Sequence, residues 1–149
     1  MVNWPIGDKL TVVTQPGRGC SDRQFYTGGV ILTVSDSLEL ARYIVDLIAD
    51  KKGEDVVVLD IREVSILADY FIIASATSQR QSQAILEDIR EKTRESFGRK
   101  PLHIEGEADA GWILIDYGEV VVHLFTPEVR AYYDLEGLWR SARVALRMM

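Results

Sequence analysis

The 149 residues contain a single cysteine, Cys20, so neither a disulfide framework nor a thiolate zinc site can form within the chain. The two histidines, His103 and His123, lie far apart and show no metal-ligand spacing. No apolar run approaches the roughly 20 residues that span a bilayer. The first residues have neither the basic start nor the apolar core of a signal peptide. A Walker-type G-x-x-x-x-G-K-[ST] loop, a dinucleotide G-x-G-x-x-G and a G-x-S-x-G nucleophile elbow are all missing. Cys20 has no neighbouring histidine to make it a nucleophile. Cations are outnumbered, with a formal net charge of -6, which argues against a general binder of phosphate backbones. What these absences leave is a soluble cytoplasmic protein with no expected cofactor or metal, and 47% hydrophobic residues is ample for a core.

The charge is unevenly spread. From Pro101 to Trp139 eight acids (Glu105, Glu107, Asp109, Asp116, Glu119, Glu128, Asp134 and Glu136) face Arg130 alone, whereas the closing "RSARVALRMM" has three arginines and no acid. Such an acidic third repels nucleic acid and steers towards basic partners, although a merely solvated acidic face has the same composition.

Three segments are expected. Residues 1–35 hold five of the eleven glycines and two of the four prolines without a sustained period, and read as an N-terminal arm in which "TVVT" and "GVILTV" are candidate short strands. Residues 36–139 read as one small mixed α/β domain of order αββαβββα, and 140–149 as a basic C-terminal tail. Asp36 with Glu39 gives a capping-box pattern, and Leu40, Ile44, Leu47 and Ile48 an apolar stripe that Gly53 would stop. "DVVVLDI" and "YFIIASA" read as buried strands. Ser78 with Gln81 opens a second helix whose stripe is Ile85, Leu86, Ile89 and Phe97, ended by Gly98. "LHI" reads as a short strand. Thr126 and Pro127 start a last helix, and Asp134 one further turn.

Two features suggest chemistry. Glu105 and Glu107 in "HIEGEAD", with Ser78 at a helix start, are the best case for metal-dependent phosphoryl transfer. The glycine of a phosphate cradle is missing, and a Gly/Ala/Asp loop around the two acids would leave them solvated. His123, in a strand, has no evident carboxylate to orient it and is expected beside an aromatic ring.

"WILIDYGEVVVHLF" reads as a hairpin. With Tyr117-Gly118 as a two-residue turn, Leu114 would pair with Val121 and Trp112 with His123. One face, Ile113, Ile115, Val120, Val122 and Leu124, is wholly apolar and must be core. The other mixes Trp112, Leu114, Val121, His123 and Phe125 with Asp116 and Glu119 at the tip. That is the make-up of a protein-binding patch, unless helices cover this face too and Trp112 is core.

"VVVLDIREVSILADYFIIASATSQRQSQAI" followed by "EGEADAGWILIDYGEVVVHLFTPEVRAYYDLEGLW" resembles the Iojap-like family, the ribosomal silencing factors (RsfS), from about Ser37 to Trp139. Ala76 stands where the family's usual "GTS" step has glycine, and the arm and basic tail have no evident counterpart. The resemblance implies a nucleotidyltransferase-like fold without catalytic carboxylates, hence no enzyme. It also implies binding to large-subunit ribosomal protein fourteen, which blocks joining of the small subunit and represses translation. Carried onto this chain, the partner-binding residues are Trp112, Leu114, Tyr133 and Leu135 as apolar anchors, with Asp116 and Glu136 as charge partners for Lys or Arg. Trp139 would close the last turn against the core. The basic tail is a candidate for peripheral contact with ribosomal RNA, and a homodimer stays among the open arrangements. The reading from a different class is a nucleotide-binding or nucleotidyl-transferring enzyme built on Ser78, Glu105 and Glu107.

Overall fold

The computed structural model describes the backbone of residues 11–13, 22–27 and 30–149, and side chains from 37 onward. Strands β1 (Thr11–Val13), β2 (Asp22–Thr27) and β3 (Val30–Ser35) form a three-stranded antiparallel sheet. Two of the three were expected in the arm. β2 was not, although Gly28-Gly29 in the sequence is a hairpin signal. Cys20 and the side chain of Asp36 lie outside the described residues.

After this sheet come α1 (Asp36–Asp50), β4 (Glu54–Asp60), β5 (Tyr70–Ser75), α2 (Gln79–Phe97), β6 (His103–Glu107), β7 (Trp112–Asp116) and β8 (Val120–Phe125). Two short helices, α3 (Pro127–Tyr133) and α4 (Leu135–Leu138), and strand β9 (Arg143–Met148) complete the chain. The second sheet has six strands in the order β6-β7-β8-β5-β4-β9, all antiparallel except the central pair β5 and β8. The small mixed α/β domain is as expected, with one strand more at its end.

Alternation along the strands divides the apolar residues between two layers. Val56, Val58, Ile72, Ile113, Ile115, Val122 and Leu124 pack with Leu40, Ile44 and Ile48 of α1 and Ile85 and Ile89 of α2. On the opposite face Val57, Leu59, Phe71, Ile73 and Phe125 pack under Val129 of α3 and Leu135 of α4. Covered on both sides, β5 is buried at every position, and its sequence "YFIIAS" accordingly does not alternate.

α2 starts as its sequence dictates. Ser78 Oγ accepts from the Gln81 amide at 3.1 Å. Gln81 returns its carbonyl to the Thr77 amide at 2.8 Å, one residue before the position a capping box uses. Its Nε2 also donates to the Lys51 and Lys52 carbonyls, at 3.0 and 2.8 Å, tying the end of α1 to the start of α2. Gly98 ends α2 in the left-handed conformation, φ 63°.

α1 stops differently from expectation. The left-handed residue is Lys52, φ 61°, not Gly53. Gly53 is needed for space, because a Cβ there would stand 2.3 Å from Ile48 Cγ2. Residues 140–149 also depart from the expected tail. β9 pairs antiparallel with β4, and Leu146 and Met148 pack against the main core. Val144, Leu146 and Met148 recur at every second position, a strand signal masked by the three arginines.

These two neighbours at the end of α1 should respond oppositely to substitution. Lys52→Gly relieves a left-handed residue and should stabilise by about 0.5–1 kcal/mol. Gly53→Ala forces a methyl into Ile48 and should destabilise by about 1–3 kcal/mol. Urea unfolding measures both, and a Gly53→Ala chain as stable as the parent would refute the close approach.

A candidate protein-docking face on β7 and α3

The β7–β8 hairpin turns at Gly118-Glu119, one residue later than expected. Tyr117 N donates to Val120 O at 2.9 Å, Gly118 has φ 90°, and its amide donates to Asp116 Oδ1 at 2.7 Å. Positive φ at the first turn residue favours glycine, which Tyr117 could not replace without strain. The register is therefore Leu114 with His123 and Trp112 with Phe125, displaced by two residues from the expected pairing. Two is the period of a strand, so the division between faces survives: Ile113, Ile115, Val120, Val122 and Leu124 are all buried as expected. Tyr117, expected in the turn, is instead core, with its hydroxyl 2.8 Å from Thr93 Oγ1. Burial pushes its pKa up.

On the other face the rings form one connected group. Trp112 is half-buried rather than free-standing: it stacks on Phe125 at 5.1 Å and meets Tyr133 of α3 at 4.9 Å. Its indole N–H points to His123 Nδ1 at 3.4 Å. His123, 4% exposed, lies with Phe71 edge-on at 5.1 Å and has no partner for Nε2. Burial lowers its pKa to about 4. Trp139 closes the last turn against Phe71, ring centroids 5.2 Å apart.

The structure brings together three of the six residues assigned to partner binding. Trp112, Leu114 and Tyr133 line a cleft of about 250 Å³ with Glu105, Ala110 and Val129. Tyr133 is 51% and Tyr132 82% exposed, edge-to-face with each other. The other three stand apart from the cleft. Leu135 packs inward against the second core layer. Glu136 receives a hydrogen bond from Arg130 NH2, and Arg130 NH1 donates to Asp55 O at 2.7 Å and Ser75 Oγ at 2.8 Å. Asp116 sits at the turn end of β7, four positions or about 13 Å from Trp112.

Nothing local in the sequence connects Glu105 with this face. Glu105 and Glu107, expected in a loop, both lie in the edge strand β6, where Glu105 pairs with Leu114. Between them Gly106 has φ 79°, and a Cβ there would meet the Trp112 carbonyl oxygen at 2.1 Å. The two carboxylates border different clefts, Glu105 the one beside Trp112 and Glu107 one against α2 that also contains Arg80. Among the described residues, no group of three or more His, Cys, Asp or Glu could hold a metal ion. Ser78 is engaged in capping α2. The enzyme reading thus lacks convergent geometry.

The buried His123 makes stability depend on pH. With a folded pKa of about 4 against 6.5 for the free side chain, the unfolded chain binds more protons between those values. His123 therefore stabilises least at low pH: stability should rise by about 3 kcal/mol as pH climbs from 4 to 6.5. Denaturant unfolding of the parent and of His123→Phe isolates this contribution. An unchanged difference between the two across that window would show that His123 is not held neutral by burial.

Comparison with known proteins agrees with this architecture. Residues 34–148 match the family described as "Ribosomal silencing factor during starvation". That span includes β9, so the expected lack of a family counterpart for the C-terminal segment is corrected. A ribosomal silencing factor RsfS from Halalkalibacterium halodurans is 42% identical over 104 residues, 70% of this chain and 88% of the relative. The mouse protein named "Mitochondrial assembly of ribosomal large subunit protein 1" is 32% identical over 98 residues, 64% of this chain and 43% of its own length. A crystal structure of a Chromobacterium violaceum protein superposes with a TM-score of 0.65 at 35% identity, covering 68% of this chain and 84% of that one. With its mixed sheet and nearly its whole described domain inside the match, the chain belongs to the ribosomal silencing factor family.

Proposed function

We propose that the protein binds the large ribosomal subunit through its protein fourteen and, seated there, sterically prevents the small subunit from joining, so repressing translation. The observation that carries this reading is the solvent-open face on which Trp112, Leu114 and Tyr133 meet beside Glu105. Partly exposed aromatic anchors beside a carboxylate suit a basic protein, and ribosomal proteins are generally basic. Steric exclusion needs no reacting group, only a grip firm enough to outlast encounters with the small subunit. It is supported by membership of a family of silencing factors and by the ribosomal large subunit in the mouse relative's name.

In this reading Trp112, Leu114 and Tyr133 are the apolar anchors and Asp116 adds charge at the turn end. Leu135 and Glu136 act from beneath, setting the helices on which Tyr133 stands. Arg140, Arg143 and Arg147, in and next to β9, supply peripheral contact with ribosomal RNA. The site of action is the cytoplasm. Among the described residues no helix is long and apolar enough to cross a membrane.

Co-sedimentation on sucrose gradients should find the protein with large subunits and not small ones, less so as salt is raised. Tyr133→Ala should lower affinity about 30-fold or more and restore subunit joining, while costing little stability, because half of the ring is already in solvent. Equal association of the parent with both subunits, or with neither, would overturn the reading.

A further inference from the structure

The cleft beside Trp112 has a shape and charge that specify its occupant. At about 250 Å³ it falls below the roughly 300–1,000 Å³ of small-ligand pockets and has room for about one long side chain. Leu114 and Val129 give it apolar walls, Trp112 and Tyr133 add aromatic surface, and Glu105 supplies a carboxylate at its border. No lysine lies between residues 101 and 139, and the only arginine there, Arg130, is bonded to Glu136, Ser75 and Asp55. The neighbouring cleft differs, since Arg80 accompanies Glu107 and Asp109 there. We infer that the Trp112 cleft receives one lysine or arginine side chain of the docked ribosomal protein. Its aliphatic stem lies along Leu114 and Val129, and its cationic head meets Glu105 and the aromatic rings. Long cationic side chains bury their stems in this way, and ring faces attract the charge. The inference rests on the proposed docking and names the partner chemistry at its centre.

Equilibrium binding of the full chain to isolated large subunits, over a range of potassium chloride concentrations, tests it. Glu105→Gln should weaken binding about three- to tenfold at low salt and make the salt dependence shallower. Glu105→Lys should weaken it further. Glu107→Gln, on the other cleft, should bind as the parent does. Glu105 is exposed on an edge strand, so the variants should melt as the parent does, which a thermal scan checks. Parent-like affinity and salt dependence for Glu105→Gln would overturn the inference and leave the docking itself standing. So would equal losses for Glu105→Gln and Glu107→Gln, which would indicate a diffuse acidic field. Tighter binding by Glu105→Gln would also overturn it, because it would place a phosphate rather than a cation beside residue 105. A parent chain that does not bind large subunits at all would overturn the docking as well.

Discussion

The guanidinium of Arg130 holds the candidate docking face together. α3 and α4, of seven and four residues, are far too short to persist on their own. Arg130, its side chain 12% exposed, extends from α3 to Glu136 of α4, to the Ser75 hydroxyl at the end of β5 and to the Asp55 carbonyl at the start of β4. A cation this deep is tolerable only because its charge is paired and several of its donors are used. The two helices are thereby pinned across the sheet, which places Tyr133 against Trp112 and opens the cleft beside them. The one arginine in an acidic third of the chain is thus structural, and it leaves Glu105 as the charged side chain lining the cleft.

The sheet supplies the second constraint. Where both faces are covered, as at β5, every position is buried. Where one face serves as a surface, as at β7, residues alternate. Trp112 stands at the boundary between these regimes. Phe125 and His123 support it from the core side and Tyr133 from α3, so the ring is held in place before any partner arrives. A pre-positioned aromatic loses little freedom on binding, which is what an anchor requires.

Much of this was legible in the sequence, for identifiable reasons. The stripes of α1 and α2, the Ser78 cap and the inward half of the hairpin follow from local periodicity and capping, which act over a few residues. The hairpin faces came out right although the register was displaced by two, because side-chain direction repeats every two residues. What stayed hidden depends on distant partners. Tyr117 looked like a turn residue until Thr93, 24 positions away, took its hydroxyl. Glu136 looked like a free charge until Arg130 claimed it. Glu105 looked like half of a metal pair, because two acids one residue apart share a face in a regular strand, whereas the left-handed Gly106 between them interrupts that alternation and they border different clefts. β9 looked like a tail because its arginines drew more notice than the alternation beneath them.

In the proposed docking, the face carrying Tyr133 is the one that meets the ribosome. A photo-reactive benzoylphenylalanine in place of Tyr133, irradiated on isolated large subunits and mapped by mass spectrometry, tests it most directly. The predicted result is cross-linking to a basic large-subunit protein, protein fourteen. Cross-links from position 133 to ribosomal RNA alone, or none there with strong cross-links from the same group at Arg90 on α2, would contradict it.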